Sequence, residues 1–266
     1  MDAAVLLALG LTTLAGLSTG IGSLFALFAR RSNVAVLSAA LGFSAGVMIY
    51  VSFVELLAGG QALLQGNYGE TLGGWLAAAG FFGGVLLILV IDLLVPADHN
   101  PHQVQFIDGG DGGAGLQPLH RVGLLSALAI GIHNFPEGIA TFMAVLADPV
   151  VGVSIAIAIA LHNIPEGISI AVPVYYASGS RRRAFWISLL SGLAEPVGAF
   201  LAYLLLRPYL DNGLLGLVFA VVAGIMVFIS LDQLIPNAKK YDTGHNAVYG
   251  LIAGMAVMAL TLLLLR

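Results

Sequence analysis

A ten-residue motif with three side chains able to bind a metal occurs twice in the chain. GIHNFPEGIA begins at Gly131, and the similar ALHNIPEGIS begins at Ala160. Ionisable side chains inside apolar segments are expensive to bury, so each of them is a candidate for function. The candidate ligands are His133, Asn134 and Glu137 of the first copy, His162, Asn163 and Glu166 of the second copy, and Glu195 in the apolar segment that follows.

The spacing within each copy would place these side chains on one face of a helix. Residues four apart lie one turn apart on the same face, so His133 is expected beside Glu137, and His162 beside Glu166. Each asparagine precedes its glutamate by three residues and can join that face. Imidazole, carboxylate and amide oxygens together suit a transition metal such as Zn²⁺, whereas Mg²⁺ and Ca²⁺ prefer sites made almost entirely of oxygen. The pattern predicts a transition-metal site in which the two glutamates could bridge two ions.

The composition places this site in a membrane. Of the 266 residues, 59% are hydrophobic and 9% are charged, against about 25% charged residues in soluble domains. The mean hydropathy is +0.99. The net charge of -4 disfavours a nucleic-acid partner, and the absence of cysteine excludes disulfides and thiolate metal sites. We expect an all-α, polytopic membrane protein in contact with the lipid bilayer.

Eight apolar stretches are long enough to cross a bilayer as helices, which takes about 20 residues each. Basic residues accumulate in short cytoplasmic loops. With both termini outside, the inner loops carry eight of the ten Lys and Arg residues, so we predict this orientation and a single transmembrane transporter domain over residues 1–266. The predicted spans are 3–29, 34–58, 71–95, 122–147, 150–176, 183–206, 213–236 and 246–265.

One long hydrophilic stretch, residues 96–121, separates predicted spans 3 and 4 and would be cytoplasmic. It contains His99, His102 and His120 around a glycine-rich centre. A metal-binding or regulatory loop and a flexible linker are both consistent with this composition. Histidines without fixed spacing are only a compositional signal, which favours the flexible linker.

Further repeats relate the two halves of the chain. AGVMIYVSFVELL from Ala45 matches AGIMVFISLDQLI from Ala223, and LAGLSTGIGSLFA from Leu14 matches LSGLAEPVGAFLA from Leu190. Spans 1–3 are therefore expected to correspond to spans 6–8, and span 4 to span 5, with each copy crossing the membrane in the opposite direction. Inverted repeats are typical of secondary transporters, in which a site at mid-membrane opens to either side in turn.

Three functions could use this set of ligands. A transporter would carry the metal as its substrate, a passive channel would conduct it through the same residues, and an intramembrane metal-dependent hydrolase would use it to activate water. The metalloprotease pattern HE-x-x-H is absent, and a hydrolase would not need inverted repeats. We therefore favour a transporter and expect neither an enzyme nor a prosthetic group. The oligomeric state is open, and a homodimer is one possibility.

The quoted motifs resemble those of the ZIP (Zrt/Irt-like) family of metal transporters, and most closely its bacterial zinc-uptake branch. The resemblance rests on HNFPEGIATF at His133, on LHNIPEGISIAVPVYYASGSRRRA from Leu161 and on SGLAEP around Glu195, and it covers essentially the whole chain. It implies import of divalent ions, chiefly Zn²⁺ with Fe²⁺, Mn²⁺, Co²⁺ and Cd²⁺ as further substrates, through the bacterial inner membrane. It also implies an elevator-like or rocking motion of the region of spans 4–6.

The resemblance further implies a binuclear metal centre halfway across the membrane. The first subsite would consist of His133, Glu137, His162 and Glu166, with Met48 of the AGVM segment as a further ligand. The second subsite would consist of Asn134, Asn163 and Glu195 and would share the two glutamates. On spacing alone, Met48 is more typical of packing than of metal ligation. Some relatives carry Gln and Asp where this chain has His162 and Asn163, a difference that changes the charge of the second subsite.

Overall fold

The structure is a computed structural model that describes residues 2–28, 34–94, 119–209, 211–240, 242 and 244–265. Every regular element within these ranges is helical. The α-helices are α1 (Ala3–Phe28), α2 (Val34–Val51), α3 (Ala58–Tyr68), α4 (Glu70–Leu94), α5 (Leu119–Ala147), α6 (Pro149–Ser178), α7 (Arg181–Gly192), α8 (Ala194–Leu205), α9 (Asn212–Ile229), α10 (Ile235–Lys240) and α11 (Asn246–Leu265).

Seven helical segments of the described chain are long and apolar enough to cross a membrane. They are Ala3–Leu24, Ser38–Tyr68, Glu70–Leu93, Pro149–Ile168, Arg181–Leu205, Asn212–Lys240 and Asn246–Leu264. The remaining predicted span, 122–147, coincides with the 29-residue helix α5, in which the side chains of residues 119–130 lie outside the described part. Residues 96–118 of the predicted loop 96–121 also lie outside the described residues. The last three residues of the loop, 119–121, form the start of α5.

Two predicted spans extend beyond their expected ends. The helix of span 2 passes through a π-helical turn, Ser52–Leu57, and continues to Tyr68, ten residues past the predicted boundary. The helix of span 7 likewise passes through a π-helical turn, Ser230–Leu234, and continues to Lys240. Both π turns begin at the serine that the two repeats share, so the local backbone irregularity is repeated along with the sequence.

Predicted span 6 is divided at Leu193 into α7 and α8. Pro196 has no backbone N–H and its ring clashes with the carbonyl four residues earlier, which belongs to Gly192. The helix therefore ends at Gly192 and restarts at Ala194. This break places Glu195 in the first turn of α8.

A very short connection fixes α5 and α6 as antiparallel neighbours. Asp148 alone separates the two helices, and its carboxylate accepts hydrogen bonds from the N–H groups of Val150 and Val151, while Pro149 occupies the first turn. An acceptor at this position and proline just after it are favourable at a helix start. The two copies of the motif are consequently brought alongside each other.

Asp242 fixes the start of the last helix. Its carboxylate accepts hydrogen bonds from the backbone N–H groups of Gly244, Asn246 and Ala247 and from the amide of Asn246. Partial desolvation raises the pKa of this carboxyl group, but the hydrogen bonds stabilise the anion and hold the pKa below its usual value.

The helices form two groups. In the first, α1 packs on α6 and α7, and α5 packs on α6 and α8. In the second, α2 packs on α11, and α9 packs on α3 and α4. The groups meet where α2 contacts α6 and where α5 contacts α9.

Glycines bring the backbones of α1 and α6 into direct contact. A Cβ atom added at Gly22 would overlap the carbonyl oxygen of Ile164, and one added at Gly167 would overlap that of Thr19. Close approach of this kind through small residues is how membrane helices associate.

The same contact occurs between α5 and α8. A Cβ at Gly198 would overlap the carbonyl oxygen of Phe135, and one at Gly138 would overlap that of Glu195. Each of these four residues is the counterpart, in the repeats of the sequence, of a residue in the contact between α1 and α6. The second group of helices repeats the arrangement, with Gly46 of α2 against Leu251 and Gly224 of α9 against Phe81.

We predict that Gly22→Ala destabilises the protein by about 1–3 kcal/mol, because the new methyl group forces two backbones apart. Gly10→Ala, on the same helix but with no atom within 4 Å of the new Cβ, should be neutral or stabilising by up to about 1 kcal/mol. Thermal unfolding of the purified proteins in detergent measures both effects. Equal melting temperatures for the two variants would contradict the close contact.

Candidate metal centre

The two motif copies meet at one depth of the first helix group. His133 lies 15 residues before Asp148 on α5, and His162 lies 14 residues after it on α6 (148 − 133 and 162 − 148). At a rise of 1.5 Å per residue, both positions lie about 20 Å from the turn that joins the helices. This distance puts them far from the helix ends.

Three of the predicted ligands converge at this depth. Glu137, His162 and Glu166 each offer a ligand atom, and these three atoms all lie within 4.8 Å of one another. The Nε2 atom of His162 is 3.4 Å from Oε1 of Glu137. Zn²⁺ holds nitrogen and oxygen ligands at about 2.0–2.2 Å, so atoms around one ion lie within about 4.4 Å of one another. The cluster is close to that spacing.

The cluster is enclosed by protein. Glu137 and His162 are 0% exposed and Glu166 is 3% exposed. Glu195 is also fully buried, so the centre contains three buried carboxyl groups. Among the side chains that the structure describes, no lysine or arginine is buried. A buried carboxylate needs a compensating charge or a proton, and divalent cations would supply such charge.

The two asparagines are oriented by carbonyl groups of neighbouring helices. The Nδ2 group of Asn163 donates to the carbonyl oxygen of Ala15 on α1, at 2.9 Å, and also to the carboxylate of Glu195. The Nδ2 group of Asn134 donates to the carbonyl oxygen of Ser191 on α7, at 3.5 Å. Ala15 and Ser191 are counterparts in the repeats, so the same interaction is made twice.

This orientation leaves the amide oxygens available. The Oδ1 atoms of Asn134 and Asn163, both oxygens of Glu137 and one oxygen of Glu195 are buried and accept no hydrogen bond from the described residues. An unsatisfied buried acceptor costs about 1–3 kcal/mol. Five such oxygen atoms in one region could accept bonds from a cation.

Met48 lies on α2, in the other helix group. One turn before it, the hydroxyl of Ser44 donates to the carbonyl oxygen of His162 at 3.5 Å. This contact places α2 beside α6 at the level of the centre, and Met48 is 1% exposed. Its role as a ligand stays a prediction. His133 lies on α5 one turn before Glu137, but its side chain is outside the described part.

The backbone partners of the asparagines were not among the sequence predictions. Ala15 and Ser191 take part through their carbonyl oxygens, which residue type does not reveal. The signal available was the alignment of the segments from Leu14 and Leu190, which also pairs Thr19 with Glu195.

Comparison with known proteins places the chain in a family. Residues 98–262 match the family model described as ZIP Zinc transporter. The chain belongs to the ZIP zinc transporter family. A protein named zinc transporter ZupT from Lysinibacillus sphaericus is 56% identical over 100% of both chains. The ZupT proteins of Nitratidesulfovibrio vulgaris and Clostridium perfringens are 54% and 49% identical, over 99% and 98% of this chain and 98% and 96% of their own.

Membership of the ZIP family confirms the resemblance predicted from the two motifs and leaves the hydrolase alternative without support. With seven helical segments long and apolar enough to cross a bilayer, this ZIP chain is a multi-pass membrane protein. The described helices therefore agree with a polytopic all-α fold.

We predict that Asn163→Asp destabilises the metal-free protein by about 3–5 kcal/mol, because a new buried carboxylate would face that of Glu195. Asn134→Asp is the matched control, because the repeats pair Asn134 with the neutral Thr19 where they pair Asn163 with Glu195. Asn134→Asp should therefore lose less stability than Asn163→Asp. Thermal unfolding in the presence of a chelator gives the difference. Zn²⁺ should recover more stability in Asn163→Asp than in the wild type, and equal losses in the two variants would contradict the arrangement.

Proposed function

We propose that this protein imports divalent transition metal ions, chiefly Zn²⁺, into the cytoplasm through the buried centre between α5, α6 and α8. The observation that carries the proposal is the cluster of Glu137, His162 and Glu166 in a member of the ZIP family. The ZupT relatives are named zinc transporters. Fe²⁺, Mn²⁺, Co²⁺ and Cd²⁺ are proposed as further substrates, because nitrogen and oxygen ligands accept all of them.

The proposed centre binds two ions. The first subsite is formed by His133, Glu137, His162 and Glu166, with Met48 from α2. The second is formed by Asn134, Asn163 and Glu195 and shares the two glutamates. The buried oxygens without hydrogen-bond partners among the described residues support both subsites. An arriving ion would exchange its waters for these ligands, and the carboxylates would compensate its charge as it crosses.

We propose that eight helices span the membrane, with α5 as the fourth, and that the chain is built from inverted repeats. Spans 1–3 would correspond to spans 6–8 and span 4 to span 5. Three features support this topology: the matching glycine contacts, the matching asparagine hydrogen bonds and the two π turns that begin at equivalent serines. The distribution of basic residues supports outward termini and a cytoplasmic loop at 96–121.

The division into two helix groups suits alternating access. All the proposed ligands except Met48 lie on α5, α6 and α8, within the first group. An apolar cavity of about 800 Å³ lies between this group and helices α4 and α9, lined in part by Leu87, Phe135, Val197 and Val221. Space between the groups and a site held almost entirely by one of them suit a movement of one group against the other.

We predict saturable Zn²⁺ uptake into proteoliposomes containing a zinc-sensitive dye. Glu137→Ala and Glu166→Ala should each lower the initial rate by at least about tenfold, because an ion loses a charged ligand. Glu70→Ala, which removes an exposed carboxylate at the start of α4, is the matched control and should transport normally. Absence of wild-type uptake under any zinc gradient would refute the proposal, and unsaturable uptake would favour a channel.

We also predict that uptake falls as the external pH drops through the ordinary titration range of histidine, about pH 6.5. The physical reason is that imidazole must be unprotonated to bind a metal. His162→Gln carries no titrating group at this position, so its pH profile should be shallower than that of the wild type. A wild-type rate that is constant between pH 7.5 and pH 5.5 would contradict imidazole ligation.

A further inference from the structure

Thr19 on α1 has a buried hydroxyl group that accepts and donates no hydrogen bond among the described residues. Its side chain is 0% exposed. Threonine in a helix usually donates to the carbonyl oxygen four residues earlier, and Thr12 and Thr141 do so here, at 2.8 Å and 2.9 Å. Thr19 is therefore an exception that needs a physical reason.

The reason is that its usual acceptor is already occupied. The carbonyl oxygen four residues before Thr19 belongs to Ala15, and it accepts hydrogen bonds from Nδ2 of Asn163, at 2.9 Å, and from the hydroxyl of Ser18, at 2.6 Å. A carbonyl oxygen has two lone pairs, and this one lies within α1, where it also takes part in the backbone hydrogen bonds of the helix. Two side-chain donors in addition leave no lone pair for the hydroxyl of Thr19. The interaction that orients Asn163 thus leaves the hydroxyl of Thr19 without a hydrogen-bond partner among the described residues.

The hydroxyl lies against the segment that leads into Glu195. A Cβ atom added at Gly192 would be 2.7 Å from Oγ1 of Thr19, so the missing side chain of Gly192 makes room for it. The neighbouring Ser191 accepts the hydrogen bond from Asn134. Thr19 therefore lies close to the α7 backbone at the point where Asn134 is held.

In the repeats, Thr19 corresponds to one of the proposed metal ligands. Thr19 is the counterpart of Glu195, Ala15 of Ser191, and Asn163 of Asn134. Glu195 accepts a hydrogen bond from the asparagine that is anchored on α1. The repeat assigns the equivalent place to Thr19, whose hydroxyl lies beside Gly192, the residue after the carbonyl group that anchors Asn134. The two sides of the centre therefore differ chiefly in one group, a carboxylate on the Asn163 side and a hydroxyl on the Asn134 side.

We propose that Oγ1 of Thr19 is a further oxygen ligand of the transported ion, on the Asn134 side of the centre. This inference rests on the proposed function. A neutral hard oxygen at this place adds a ligand without adding charge, and hard oxygen ligands favour Mn²⁺ relative to the softer Cd²⁺. Thr19 is accordingly a determinant of metal preference as well as of affinity.

The test compares purified full-length variants in detergent by calorimetric titration with Zn²⁺, Mn²⁺ and Cd²⁺. Thr19→Val keeps the shape of the side chain and removes the hydroxyl. Thr12→Val is the matched control, since it removes a fully buried hydroxyl of the same helix that is satisfied by Ala8. Glu166→Ala reports on the proposed centre itself.

We expect Thr19→Val to bind Zn²⁺ about tenfold more weakly than the wild type, to lose more affinity for Mn²⁺ than for Cd²⁺, and to show a higher KM for uptake. Thr12→Val should bind all three ions like the wild type. If Glu166→Ala loses binding while Thr19→Val matches Thr12→Val, the inference about Thr19 is wrong and the centre stands. If Glu166→Ala binds Zn²⁺ normally, the proposed centre is wrong.

A second pair of variants tests the inference in the case in which Thr19→Val does not fold. Thr19→Ser keeps the hydroxyl and Thr19→Ala removes it, and both leave space where valine fills it. Near-normal Zn²⁺ affinity in Thr19→Ser with weakened affinity in Thr19→Ala supports ligation. Equal affinities in the two variants overturn it.

Discussion

The burial of three carboxyl groups in one place is the constraint on which the rest of this structure depends. Glu137, Glu166 and Glu195 are enclosed by helices, and no lysine or arginine among the described side chains is buried with them. Carboxylates cannot remain ionised in an apolar interior without partners. The surroundings supply donors to only part of this set, chiefly through Asn163. Positive charge from a bound ion would complete the balance, which supports the proposal that the centre is a site for cations rather than a structural network.

Close helix packing makes that burial feasible. Gly138 and Gly167 follow the two buried glutamates directly and allow the backbones of α8 and α1 to approach them. The carbonyl groups of Ala15 and Ser191 then take up the amide N–H groups of the asparagines, so the amide oxygens keep their lone pairs for a ligand. The segments that pack closely are therefore the ones that carry the candidate ligands. A larger side chain at either glycine would disturb both the helix packing and the positions of these ligands.

The sequence predicted the candidate ligand residues better than the helix irregularities and backbone contacts that position them. The i, i+4 spacing predicted His162 beside Glu166 within one copy of the motif, and the resemblance to the ZIP family implied that Glu137 of the other copy joins them. The break at Leu193 follows from Pro196, but hydropathy alone treats span 6 as one helix. The π turns at Ser52 and Ser230 and the helix beyond Leu57 escaped prediction, since apolar periodicity does not specify which carbonyl each N–H bonds. The interactions of Ala15 and Ser191 escaped it because they involve backbone atoms.

Met48 is the one proposed ligand that lies in the second helix group. The other proposed ligands lie on α1, α5, α6 and α8, whereas Met48 lies on α2, which packs on α6 and whose Ser44 contacts the carbonyl oxygen of His162. A hydroxyl-to-carbonyl contact of 3.5 Å is weak, and the cavity that α4 and α9 form with the first group shows that the two groups are not tightly packed throughout. Any displacement of one group relative to the other would therefore separate Met48 from the carboxylates while leaving these together. If Met48 is a ligand as proposed, its thioether would belong to the centre in only some arrangements of the helices, whereas the carboxylates would stay together in all of them.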